Sequence, residues 1–168
     1  VERACAAARD LGVWMVNVHA LGGAEMIQAA RSGLGNAPNR SLLTAVTILT
    51  SMDAASLSAI GFHQEPAEMV IRLAQLAQKS GADGVICSAN EAKELNARLG
   101  DNFIKVTPGI RPSGTAFDDQ KRVMTPSEAI KQGADYLVIG RPITQAPDPV
   151  SVLTSVIQEI ENSVNFDA

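Results

Sequence analysis

The sequence predicts an α/β fold in which parallel strands carry helices on the outside, and three observations lead there. Five short apolar runs, each bounded by Gly, Ser, Asn or Pro, alternate with longer amphipathic stretches. The stretches KSGADGVICSANEA and KQGADYLVIGRPIT share one order of helix end, Gly-Ala-Asp, apolar strand and polar turn, and RDLGVWMVNVHALGG is a looser copy. The repeat of about 30 residues suits a strand–helix unit, and such units stack as a parallel sheet covered by helices.

Taken in order, VERACAAARD reads as a short helix that runs into a strand at Trp14–Val18. A second strand spans Leu42–Leu49, and a short helix begins near Asp53. The stretch Glu65–Lys79 places Met69, Val70, Leu73, Leu76 and Ala77 on one helical stripe, with Gly81 just past its end as a C-terminal cap. The remaining strands are Gly84–Cys87, Phe103–Val106 and Tyr136–Ile139. Ser88-Ala-Asn-Glu91 and Thr125-Pro-Ser-Glu128 both match a capping box ahead of an amphipathic stretch. Asp148-Pro149 starts a last helix that runs to about Glu161, and the tail NSVNFDA is expected to fray.

Composition narrows the functional classes. The chain has 168 residues, enough for one domain with its own core. It is 46% hydrophobic but only 4% aromatic, so Val, Ile, Leu, Ala and Met must fill the core. Its net charge of −4, without a Lys/Arg cluster, argues against nucleic acid and anionic membrane as partners. No apolar run approaches the ~20 residues of a membrane span. Cys5 and Cys87 have no metal-ligand spacing and suggest no disulfide, which fits a reducing cytoplasm.

In parallel α/β folds ligands bind beyond the carboxyl ends of the strands. The predicted strands are followed by His19, by Thr50 and Ser51, by Ser88 and Asn90, by TPGIRPSGTAFDDQ, and by GRPIT. Gly140 lets a ligand approach its amide, and Arg141 offers a fork of donors suited to phosphate; the alternative is a plain turn with the arginine in water. Arg111 is a second anion contact or a loop residue, and Pro112–Val123 is a lid or an irregular connection longer than usual. Thr50 and Ser51 either meet a ligand or cap the helix near Asp53. Asn17 and His19 share one strand face, Trp14, Val16 and Val18 the other; His19 is a ligand-side residue or a hydrogen-bonded buried histidine. Acid–base chemistry needs a positioned Lys, His or carboxylate, and no Lys–Asp cluster stands at any strand end. Lys105 falls inside a strand and Lys121 inside a loop.

The motifs VWMVNVHALGG, VTILTSM, VTPGIRPSG with the later Asp119-Gln120, and LVIGRPIT resemble orotidine 5′-phosphate decarboxylase of the bacterial type, in that family's order to about residue 160. The resemblance implies a (β/α)8 barrel, a homodimer, no metal or organic cofactor, and orotidine or uridine monophosphate as ligand. By it, Thr50 would hydrogen-bond the pyrimidine, Arg111 would begin the mobile loop and Gln120 would bridge pyrimidine and phosphate. Gly140 and Arg141 would hold the phosphate. The family's signature Asp-x-Lys-x-x-Asp occurs nowhere in the sequence, so no catalytic residue carries over. A barrel of this kind takes about 200–250 residues. Residues 1–168 are therefore expected to form a single domain holding strands four to eight, a partial TIM barrel without the first three strands, which binds substrate and is inactive alone. A sugar-phosphate decarboxylase of the same superfamily, which would use magnesium, and a non-catalytic phosphate-binding or oligomerising module are the competing readings.

Overall fold

A computed structural model describes residues 1–112 and 123–165. The elements are α1 (Glu2–Asp10), β1 (Met15–His19), a 3-10 turn (Ala20–Gly22), α2 (Gly23–Leu34), β2 (Leu42–Val46), α3 (Ala54–Ala59), α4 (Pro66–Lys79), β3 (Gly84–Ile86), α5 (Ala89–Leu99), β4 (Ile104–Thr107), α6 (Pro126–Lys131), β5 (Tyr136–Leu137), α7 (Arg141–Thr144) and α8 (Pro149–Asn165). The five strands form one parallel sheet in chain order, β1-β2-β3-β4-β5. Among the described residues, no helix is long and apolar enough to cross a membrane.

The internal echo has a physical basis. After α1, α4 and α6, a glycine in the left-handed region (Gly12 φ 71°, Gly81 φ 91°, Gly133 φ 92°) ends the helix. At α4, the Gly81 N–H donates to Gln78 O at 3.1 Å and the Ala82 N–H to Ala77 O at 3.0 Å. Gly133 and Ala134 repeat these bonds to Ile130 and Ala129, and Gly12 and Val13 to Arg9 and Ala8. This double bond satisfies the last helical carbonyls and turns the chain toward the sheet.

The aspartate that follows two of these caps sets the register of the next strand. Asp83 Oδ2 accepts the Leu43 N–H of β2 at 2.7 Å, and Asp135 Oδ2 accepts the Lys105 N–H of β4 at 2.7 Å. Each carboxylate also pairs with a cation. The Arg40 guanidinium grips Asp83 with both Nη atoms (2.7 and 2.6 Å), and Lys105 Nζ lies 3.0 Å from Asp135. Lys105 is 1% exposed, and its register partner is the core residue Val85, so it is a strut on the outer face rather than a cleft residue.

Alternation separates the two faces of the sheet. Leu43, Ala45 and Val85 point outward into the main core with Ile27, Leu34, Val70 and Leu73 from the covering helices. Burying each Val or Leu there contributes about 1.5–3 kcal/mol. Helices α1 and α2 cross closely at Gly33, where a side chain would strike the Glu2 carbonyl. A smaller cluster of Ile110, Ala129 and Ala134, with Leu137 and Ile139, sits behind β5. Register then places Asn17, His19, Thr44, Val46, Ile86 and Tyr136 on the inner face.

Several expectations are corrected. Trp14 does not share the outer face with Val16 and Val18. It precedes β1, and its ring meets Tyr136 of β5 edge-on at 5.0 Å. β2 ends at Val46 rather than Leu49, and β5 at Leu137 rather than Ile139, because the sheet ladder stops there. Thr125 forms the full capping box with Glu128, but Ser88 Oγ accepts from the Asn90 N–H and Glu91 is buried. Asp148 caps α8 through the Ser151 N–H at 3.0 Å, and the helix continues through Asn165, past the expected end.

Candidate functional site

The carboxyl ends of the strands gather on one side of the sheet. There Val46, Ile48, Leu49, Thr50, Ser51, Ile86, Cys87 and Pro108 line a cleft of about 210 Å³. Its walls are mostly apolar, with hydroxyls at Thr50 and Ser51, a composition suited to a flat heterocycle held by a few polar contacts. Thr50 is 6% exposed. The capping alternative for Thr50 and Ser51 falls away, because Asp53 caps α3, its Oδ1 accepting from the Ser56 N–H at 2.9 Å and from Ser56 Oγ at 2.7 Å.

Arg111 stands at the start of the connection between β4 and α6. It is 6% exposed, its Nη1 donates to Ile110 O at 3.0 Å, and its Nε has no partner among the described residues. The Arg111 N–H donates to Met124 O at 3.0 Å, and Ile110 bridges Met124 in parallel. The two ends of the connection are thus tied together beside the strand ends. Gln120, like Lys121, lies outside the described residues.

Gly140 and Arg141 follow β5. The Gly140 carbonyl accepts from the Ile143 and Thr144 N–H groups at 2.9 and 3.0 Å, which opens α7. No described group accepts the Gly140 N–H, and a Cβ built on Gly140 would meet nothing within 4 Å. Open space therefore lies in front of this glycine, with Arg141 next to it, half-buried.

His19 ends β1 on the inner face, in register with Val46 of the cleft. It is exposed, which removes the reading of a buried, hydrogen-bonded histidine. Among the described residues no three His, Cys, Asp or Glu side chains come together. Sequence reasoning missed Cys87 and Pro108 in the cleft wall; the strand-end rule that selected Thr50 covers both, but neither type signals binding by itself. The single-turn α7 was also missed, since four residues give no periodicity to read.

Residues 1–156 match the family described as orotidine 5′-phosphate decarboxylase / HUMPS. The chain is 56% identical to orotidine 5′-phosphate decarboxylase of Nitrosococcus oceani over 162 residues, covering 96% of this chain and 70% of that protein. It is 54% identical to the enzyme of Halorhodospira halophila over 160 residues, 95% of this chain and 68% of that one. Among solved structures, orotidine 5′-phosphate decarboxylase from Lactobacillus acidophilus superposes with a TM-score of 0.78 at 40% identity, covering 95% of this chain and 68% of that one. An uncharacterised conserved protein from Geobacillus kaustophilus superposes with a TM-score of 0.77 at 36% identity, covering 95% and 69%. The five-stranded sheet is thus part of a TIM barrel, and the chain belongs to the orotidine 5′-phosphate decarboxylase family.

Proposed function

We propose that the strand-end cleft and the Gly140–Arg141 corner bind the two ends of orotidine 5′-monophosphate, and of its product uridine monophosphate. The family's reaction is a decarboxylation in pyrimidine biosynthesis, and the chain is by family a carbon–carbon lyase. Thr50 hydrogen-bonds the pyrimidine in the apolar cleft. The Gly140 N–H and the Arg141 guanidinium take the phosphate, with Arg111 at the root of the connecting loop and Gln120 bridging base and phosphate. The observation that carries this reading is the Gly140 N–H without an acceptor among the described residues and the open space at its Cα, with an arginine adjacent and the cleft at the same end of the sheet.

The chemistry breaks the bond between C6 and the carboxylate, leaves its electron pair on C6, releases carbon dioxide and places a proton on C6. Phosphate binding far from C6 supplies intrinsic binding energy that can be used at the reacting carbon. The proton donor is a lysine of the Asp-x-Lys-x-x-Asp motif, which this sequence does not contain. The inner face contributes no lysine among the described residues. This chain therefore holds nucleotide and does not turn it over. It binds in the cytoplasm as a homo-oligomer, and the family's reaction uses no metal or organic cofactor.

Calorimetric titration with uridine monophosphate tests the assignment. Loss of a charge-assisted hydrogen bond costs roughly 1.5–3 kcal/mol, so Arg141→Ala should weaken binding at least tenfold while the fold persists. Equal affinities for the two folded proteins would sink the phosphate site.

A further inference from the structure

The inner face contains one ionisable side chain at its ligand end that the reading above leaves without a role. His19 is the last residue of β1, and its register partner Val46 is part of the cleft wall. Neighbouring strands run about 4.8 Å apart, which sets the His19 backbone next to that wall, with its side chain on the inner face. His19 stands at the start of the 3-10 turn, yet its side chain caps nothing there. Neither ring nitrogen meets a hydrogen-bond partner among the described residues. Nothing charged on its neighbours engages it, since β2 reads Leu-Leu-Thr-Ala-Val and the turn Ala-Leu-Gly. Asp53, beyond the cleft, is held by Ser56. Among the described strand residues the other ionisable side chain of the inner face is Tyr136, which opens β5 and packs on Trp14 ahead of β1.

Strand order fixes what such a group can meet. The phosphate corner follows β5 and the base cleft lies at β2 and β3, so β1 flanks the base on the side away from the phosphate in strand order. The substrate carries one anionic group besides its phosphate, the carboxylate on the pyrimidine. Among the described residues, His19 is the inner-face side chain at the end of β1 that can donate a ring N–H to it. Resting on the binding reading above, we propose that His19 receives the pyrimidine carboxylate and makes the site prefer the carboxylated nucleotide to the decarboxylated one. It is a ground-state contact, so it acts on discrimination between substrate and product and not on the phosphate grip.

The test compares the affinities of orotidine monophosphate and uridine monophosphate for the whole chain, for His19→Leu and for His19→Gln. His19→Leu should lose about tenfold for orotidine monophosphate, the equivalent of one charge-assisted hydrogen bond, and change uridine monophosphate less than about twofold. His19→Gln, which keeps an N–H donor, should recover part of the ratio. Equal losses for both nucleotides would mark a merely structural residue, and an unchanged ratio would show no contact; either overturns the proposal. If the unaltered chain binds uridine monophosphate through Arg141 but the ratio ignores His19, the site survives and this proposal falls. If the unaltered chain binds neither nucleotide, both fall.

Discussion

Replacing Asp83 by alanine should remove the hub that fixes β2, β3 and the segment before β2. The carboxylate accepts Arg40 Nη1 and Nη2 at 2.7 and 2.6 Å and the Leu43 N–H at 2.7 Å, and Arg31 Nη1 lies 3.6 Å away. The Asp83, Arg40 and Arg31 side chains are 20%, 21% and 15% exposed, so this is no loose surface pair. Breaking a fully buried pair costs about 3–5 kcal/mol and exposed pairs at most about 1. Partial exposure puts the expected loss near 2–3 kcal/mol. That corresponds to a fall in Tm of roughly 5–10 °C for a chain of this size. Burial pushes the Asp83 carboxyl up, but the Arg40 hydrogen bond, the Leu43 N–H and the charges of Arg40 and Arg31 outweigh it and hold the group below the usual carboxylate range. A carboxyl lowered in the folded state stabilises above its unfolded value of about 3.9 and loses that contribution as pH falls through the folded one. The gap between the parent chain and Asp83→Ala should therefore be full at pH 7 and shrink progressively below about pH 4. Thermal unfolding followed by circular dichroism across this range reads both quantities. A Tm shift under 2 °C at pH 7, or a gap that widens as pH falls, would refute the reasoning.

Lys105→Met should lose about 1–2 kcal/mol, because Asp135 keeps the Lys105 backbone N–H and is itself 38% exposed; unchanged nucleotide affinity in the same protein would confirm that Lys105 serves only the fold. Carbon dioxide release from orotidine monophosphate by the chain alone should not exceed background in a radiometric assay, and turnover above it would show that a residue outside the missing motif supplies the proton. Among the described residues the outer edges of β1 and β5 have no strand partner, and Leu153 and Ile157 on α8 are 45% and 47% exposed. Light scattering after gel filtration should therefore find species larger than 17.6 kDa, and a single monomer peak with cooperative unfolding would contradict this.

The readable parts of the fold were those with a local cause. The Gly-Ala-Asp echo was visible because the helix cap needs a glycine at positive φ and the aspartate must reach the neighbouring strand. Thr125 and Glu128 formed the box their spacing suggests, while the same spacing at Ser88 did not, because Glu91 is drawn into the interior. Trp14 defeated the alternation rule because the residue lies before the ladder begins, and its orientation is set by Tyr136, 122 positions away in sequence but 5.0 Å away in space. The position of Thr50, Gly140 and Arg141 beyond the strand ends was legible because the short apolar runs before them mark the strands. That Thr50 does not cap α3 was not legible, since only the structure reveals that Asp53 already does.

The central claim, that the carboxyl ends of these strands form a pyrimidine nucleotide site with its phosphate at Gly140–Arg141, is tested most directly by nuclear magnetic resonance of the labelled chain titrated with uridine monophosphate. The account predicts the largest amide shifts at Thr50, Ser51, Gly140 and Arg141, with uridine alone moving the first pair and leaving the second in place. Shifts confined to the opposite end of the sheet, around the groove of Leu42, Asn102 and Ile104, or the same pattern with and without the phosphate, would contradict it.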